Sequence, residues 1–146
     1  MPAYDLSRRT IRRVREDLGA LLTRASRRLI AAERPLLAAR GLSMWGYVVL
    51  SHLARGSAPT QLALASAIGY DKTRLIGLLD ELERDGLITR EPDPADRRAR
   101  IVHLTERGRE LHAATVADIR AMEDELLSSL TPAERETLLA VLPRLA

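Results

Sequence analysis

Asp96, Arg97 and Arg98 occupy the centre of the stretch Asp93-Pro94-Ala95-Asp96-Arg97-Arg98-Ala99-Arg100, between two short apolar runs. These residue types bind phosphate, and a guanidinium can also be aimed at a base edge. The flanking runs, Leu87-Ile88-Thr89-Arg90 and Ile101-Val102-His103-Leu104, are partly β-branched, and Pro92, Pro94 and Asp96 supply turn chemistry. The spacing therefore predicts a hairpin with a basic tip, which must lean on neighbouring helices because two strands alone are marginal in water. Asp96, two residues before Arg98, is expected to hold the Arg98 guanidinium and so reduce the entropy lost on docking. A narrow minor groove attracts inserted arginine, which is one use for such a tip. A solvated turn with a weak surface ion pair has the same residues, so the elements around the hairpin must decide.

Upstream, Ile11, Val14, Leu18, Leu21, Ala25 and Leu29 recur at steps of three and four, which predicts a long amphipathic helix over 7–33 with Pro35 disturbing its end. Ser43 is placed to cap a nearly wholly apolar helix, Met44 to Leu53. Thr60 is an N-cap for a short helix with Leu62, Ala65 and Ile68 inward, ended by Gly69. A further helix starts near Asp71, with Leu75, Leu78, Leu79 and Leu82 on its core face and Gly86 at its end. Helix, glycine turn, helix is the organisation of a helix-turn-helix. After the hairpin, Thr105 caps a helix over 106–130 with the stripe Leu111, Thr115, Ile119, Met122, Leu126 and Leu130. Thr131-Pro132-Ala133-Glu134 reads as a capping box with proline at the first helical position, opening a last helix to about Leu142.

A helix-turn-helix followed by a hairpin makes a winged helix, mainly α with one small β-hairpin, in which one helix enters the major groove and the hairpin reaches the adjoining backbone or minor groove. On the helix after Asp71, Thr73, Gly77, Asp80 and Arg84 point away from the leucines, while Lys72 and Arg74 flank the first turn. Arg74 suits guanine O6 and N7, and Thr73 suits a thymine methyl or a phosphate. Gly77 leaves room for close approach. Lys72 and the amides near Thr60 suit phosphates, which position a protein without reading sequence.

Composition bounds this reading. The 146 residues are 46% hydrophobic and 29% charged, as expected of one ordinary domain with its own core, and no apolar run approaches membrane-spanning length. No secretory pattern opens the polar, arginine-rich N-terminal stretch, so a cytoplasmic location is the expectation. The net charge is +3 with a pI of about 9.9, and Lys72 is the only lysine beside 22 arginines. Arginine suits nucleic acid, but a GC-rich genome produces the same bias. So small an excess argues against a protein that coats DNA by charge alone. Without cysteine there is no thiol chemistry. With only His52, His103 and His112, no metal site is expected. No phosphate loop, nucleophile or metal-spaced cluster supports an enzyme, and no cofactor is implied.

The chain resembles the MarR/SlyA family of bacterial winged-helix transcriptional regulators along nearly its whole length. The likeness is carried by Leu42-Ser43, Leu62-Ala63 with Ile68-Gly69, Asp71-Lys72-Thr73-Arg74-Leu75 with Leu79, and Leu82-Glu83-Arg84-Asp85-Gly86-Leu87-Ile88. Its most specific part is Pro94-Ala95-Asp96-Arg97-Arg98 followed by Leu104-Thr105-Glu106-Arg107-Gly108. The resemblance implies a homodimer whose helices over 7–33 and 106–146 interlock, with a winged-helix lobe over 42–105 on a palindromic operator, usually as a repressor. It implies Arg98 in the minor groove held by Asp96, Arg97 on the backbone, and Lys72 to Arg74 with Gly77 at the major groove. Two-fold symmetry then predicts half-sites roughly 34 Å apart. It also implies a small aromatic or phenolic effector between the dimer helices and the lobe, where Trp45, Tyr47 and His52 are the nearest polar-aromatic residues. The alternative is a winged helix that binds DNA without sequence preference or contacts protein.

Overall fold

The computed structural model describes residues 15–145. The expected start of the first helix, over 7–14, lies outside the described residues. The chain runs α1 (Leu18–Ala39), α2 (Met44–Leu53), α3 (Gln61–Ile68), α4 (Lys72–Arg84), β1 (Ile88–Pro92), β2 (Arg100–Leu104), α5 (Glu106–Leu126) and α6 (Pro132–Val141), closed by a 3₁₀ turn, Leu142–Arg144.

Local chemistry sets these boundaries. Ser43, Thr60, Asp71, Thr105 and Thr131 each accept a hydrogen bond from the backbone N–H three residues on. Each such cap contributes about 1 kcal/mol by satisfying a donor the helix cannot. At Thr131 the capping box is complete, because Glu134 accepts from the Thr131 backbone N–H at 2.8 Å. Gly69 closes α3 with φ 66°, a left-handed conformation that permits the Tyr70 N–H to reach back to the Ala65 carbonyl at 3.0 Å. This tight reversal sets α4 against α3.

Pro35 does not end α1, which continues four residues beyond it. Proline removes one N–H from the ladder, but Leu37 in the next turn is buried to 1% exposure against the core, and that packing carries the helix through. The actual stop is Gly41 at φ 70°, with the Leu42 N–H donating to the Leu37 carbonyl at 2.9 Å.

The inward face of α3 is as expected at Ala65 and Ile68 and differs at Leu62. Leu64 and Ala65 face the core, whereas Leu62 is 67% exposed. Apolar residues over 62–65 cover a whole turn, so periodicity alone cannot choose the buried face of so short a helix. Contact with α4 and β2 chooses it. Similarly, α5 stops at Leu126 rather than Leu130, because 127–130 form the turn that brings Thr131 to its cap position.

The hairpin pairs Ile88 with Leu104, Arg90 with Val102 and Pro92 with Arg100. Both strands are longer than expected, and Pro92 lies within β1, not in the turn. It is tolerated as the last residue of an edge strand, where its missing N–H breaks no interior ladder bond. Val102 donates to the Pro59 carbonyl at 2.9 Å, which ties β2 to the start of α3. One core joins the lobe to the long helices: Leu37, Leu50, Leu53, Leu64, Leu75, Leu79, Ile88 and Val102 are all fully buried. On α5 Leu111, Ile119 and Met122 of the expected stripe pack on this core and Thr115 is buried beside them, while Leu130 lies beyond the end of the helix.

The Leu104-Thr105-x-x-Gly108 sequence fastens α5 to the hairpin. The Thr105 hydroxyl donates to the Gly86 carbonyl at 2.7 Å while its oxygen accepts from the Gly108 N–H at 3.0 Å. A Cβ at residue 108 would collide with the Leu87 carbonyl oxygen and lie 2.7 Å from Leu104 Cδ1. Only glycine lets the helix come this close to the start of β1.

Candidate nucleic-acid interface

The first turn of α4 presents Lys72, Thr73 and Arg74, all exposed, with Gly77 exposed one turn on. The Asp71 carboxylate accepts from the Arg74 backbone N–H at 2.9 Å, so this acid serves the helix end. Thr60 caps α3 with its side-chain oxygen and is half-buried, so it offers a nearby phosphate its helix end more than its hydroxyl. Ile76 is also exposed on α4, a residue the leucine pattern had not brought out.

The wing tip is held by aspartates acting on backbone. Asp93 accepts from the Ala95 N–H at 2.9 Å, and Asp96 accepts from the Arg98 N–H at 3.0 Å. The Ala99 N–H closes the turn on the Asp96 carbonyl at 2.9 Å. Asp96 therefore does not hold the Arg98 guanidinium, as its spacing had suggested. At i, i+2 a short carboxylate reaches the backbone amide more readily than the end of a long arginine, the geometry of an Asx turn. Among the described residues neither Arg97 nor Arg98 has an ion-pair partner, and both are exposed. The tip thus fixes where the arginines start and leaves their charges available.

Arg90 is the interface residue that sequence reasoning missed. Only 17% of its side chain is exposed. Its guanidinium contacts Glu83 Oε2 at 2.6 Å and Asp80 Oδ1 at 2.6 Å, and donates to Gln61 Oε1 at 3.2 Å. One residue of β1 is thereby bonded to α4 and α3 together. The Arg90 hydrogen bonds hold the Glu83 carboxyl below the ordinary carboxylate range. Asp80 and Glu83 are two of the acids in the second half of α4, so the clamp also neutralises charge that would repel a phosphate backbone. The signal in the sequence was an arginine at the centre of a strand that begins apolar, but its carboxylate partners lie seven and ten residues away on another element.

The three residues expected around an effector do not come together. Trp45 is tilted against Tyr70 with ring centroids 4.3 Å apart, and His52 lines no cavity with Tyr47. Tyr47 alone lines a groove of about 390 Å³ between α2 and α5, with Ser51, His112, Val116, Ile119 and Arg120. Its ring stacks on His112 at 5.7 Å, and Ser51 Oγ lies 3.0 Å from His112 Nε2. Burial lowers the His112 pKa from its ordinary value, which favours the neutral ring. The helical period explains part of the split: Tyr47 lies on a different side of α2 from Trp45 and His52, which share a face but stand seven residues, about two turns, apart along it.

No group of three metal-ligating side chains converges among the described residues. None of the described helices is long and apolar enough to cross a membrane.

Residues 40–99 match the model of the MarR family. The fold is that of a transcriptional regulator of the MarR family from Rhodococcus sp. RHA1, 30% identical, with a TM-score of 0.75 over 86% of this chain and 89% of that one. The chain is similar to CouR, a transcriptional repressor solved on a 23-mer DNA duplex, at 30% identity and a TM-score of 0.79 over 88% of this chain and 92% of that one. Bordetella bronchiseptica BpsR, whose DNA binding is regulated by 6-hydroxynicotinic acid, is 29% identical with a TM-score of 0.75 over 89% of this chain and 93% of that one. With its helix-turn-helix, its hairpin wing and these relatives, the chain belongs to the MarR family of DNA-binding, winged-helix transcriptional regulators.

Proposed function

We propose that the protein is a ligand-responsive repressor that binds a palindromic operator as a homodimer. The observation that carries this reading is the placement of two exposed cationic surfaces on one lobe: the Lys72-Thr73-Arg74 turn of α4 and the Arg97-Arg98 wing tip, linked through the Arg90 clamp. In this reading Arg74 and Thr73 meet base edges, Gly77 admits the backbone, and Lys72 with the α3 end at Thr60 meets phosphates. Arg98 enters the minor groove from a turn that Asp96 stiffens, and Arg97 contacts backbone.

Dimerisation is supported by the apolar side chains that the terminal helices leave uncovered: Leu18, Leu21, Leu22 and Ile30 on α1, with Leu138, Leu139 and Val141 on α6. Large apolar side chains left exposed along a helix mark an interface. CouR, a repressor on DNA, supports the repressor assignment. For the effector, BpsR supports regulation by a small aromatic acid. The α2–α5 groove, built from Tyr47, His112 and Arg120, offers an aromatic wall and a cation to such a ligand.

The test is a fluorescence-anisotropy titration against the DNA flanking the protein's own gene, with scrambled DNA as competitor and salt varied. The expected result is a preference of about a thousandfold or more for the flanking DNA. Arg98→Ala should weaken it about tenfold or more, the loss expected for a charge-assisted contact. Equal, weak binding to both DNAs would instead favour an architectural role, and no binding a protein-contact module. Effector coupling is read in the same assay with 6-hydroxynicotinic acid and simple phenols. Differential binding of the usual allosteric size changes operator affinity about 5- to 150-fold, and a panel that leaves it unchanged would remove the ligand response.

A further inference from the structure

The exposed face of α4 carries a side chain that neither core packing nor phosphate attraction explains. Ile76 is 47% exposed, although Leu75, Leu79 and Leu82 already supply the buried face of the helix. It stands two residues after Arg74, and its neighbours four residues away on either side are Lys72 and Asp80, so these three form one row. Asp80 pairs with Arg90 at 2.6 Å, a guanidinium it shares with Glu83, so this row is cationic at one end, apolar in the middle and carries an ion-paired acid at the other.

Gly77 beside it is a second anomaly. Glycine weakens a helix interior, and here nothing in the fold requires it, since a Cβ at this position would meet nothing within 4 Å. The missing side chain lowers the surface next to Ile76 and lets whatever faces α4 approach its backbone.

Ile76 has no polar side-chain atom, so it cannot read a donor or acceptor pattern. The major groove offers an aliphatic side chain one distinctive apolar group, the C5-methyl of thymine. We propose that Ile76 is a specificity-determining residue that packs against a thymine methyl in each operator half-site, with Gly77 providing the clearance. This rests on the DNA-binding reading above.

The experiment begins by selecting bound duplexes from a random DNA pool with the full-length protein. Each thymine of the selected half-site is then replaced in turn by deoxyuridine, which removes the methyl and keeps every base-pair hydrogen bond. Wild-type protein should lose about fourfold in affinity per half-site at one or two positions, the scale of one buried methyl-sized group. Ile76→Ala should bind the thymine and uracil duplexes equally, and Ile76→Val should retain most of the discrimination. Because each variant is compared with itself on two DNAs, a general loss of stability cancels from the ratio. If no thymine is sensitive in the wild type, or if Ile76→Ala keeps the wild-type ratio, the inference is overturned while sequence-specific DNA binding stands. If no sequence is enriched at all, the DNA-binding reading falls with it.

Discussion

Glycine 108 illustrates how a single residue limits the whole arrangement. The atom that alanine would add points at a backbone carbonyl and at Leu104 Cδ1, and the carbonyl belongs to the residue that opens the wing. Overpacking against backbone cannot be relieved by a rotamer change, so Gly108→Ala should lose about 2–3 kcal/mol, measurable as a lower urea midpoint. A second expectation concerns His112. Burial depresses its folded pKa, so between the ordinary value near 6.5 and the lower folded one the unfolded chain binds more protons. The stability associated with neutral His112 is therefore complete above about pH 6.5 and is lost as the pH falls below it. The groups around it in the groove include Arg55, Arg120 and Glu123, so the effect is read as a difference. The drop in Tm from pH 7.5 to pH 5.5 should be smaller in His112→Gln than in wild type, and an equal drop would remove His112 as its source.

At the scale of elements, the wing and α4 form one unit because Arg90 bonds to Asp80 and Glu83 on the helix. Arg90→Met keeps much of the buried aliphatic volume while releasing Asp80 and Glu83, so it separates charge pairing from packing. The released Asp80 carboxylate lies on the row of Lys72 and Ile76, and the wing loses its tether. DNA affinity should fall about tenfold or more, the cost of breaking a charge-assisted network, while the far-UV helix signal at neutral pH remains. Affinity unchanged in this variant would mean that the strand pairing alone orients the wing. The Arg90 network was illegible in the sequence because nothing in the strand pattern identifies partners on a different helix. The caps were legible for the opposite reason, since Ser43, Thr60, Asp71, Thr105 and Thr131 bond three residues away along the chain.

At the scale of the molecule, the uncovered leucines of α1 and α6 set the expectation for assembly. Leu139→Glu combined with Leu22→Glu places charge on the proposed interface, and sedimentation should show a shift from dimer toward monomer with loss of operator affinity. A dimer that persists would locate the interface elsewhere. What the amino-acid sequence determined by itself was everything governed by neighbours within about one helical turn. Helix identities, their caps, the Gly69 reversal, the hairpin and the basic residues at its tip all follow from short-range bonding and period. The order of these elements was enough to indicate a winged helix. The tertiary structure decided what depends on distant partners. Packing on Leu37 carried α1 through Pro35, and α4 and β2 selected the buried face of α3. The reach of a carboxylate in the folded turn gave Asp96 to the Arg98 amide instead of its guanidinium, and packing set Trp45 against Tyr70 and Tyr47 against His112 of α5. In α1 and α3 two local arrangements were close in energy, and burial against another element exceeded the difference between them.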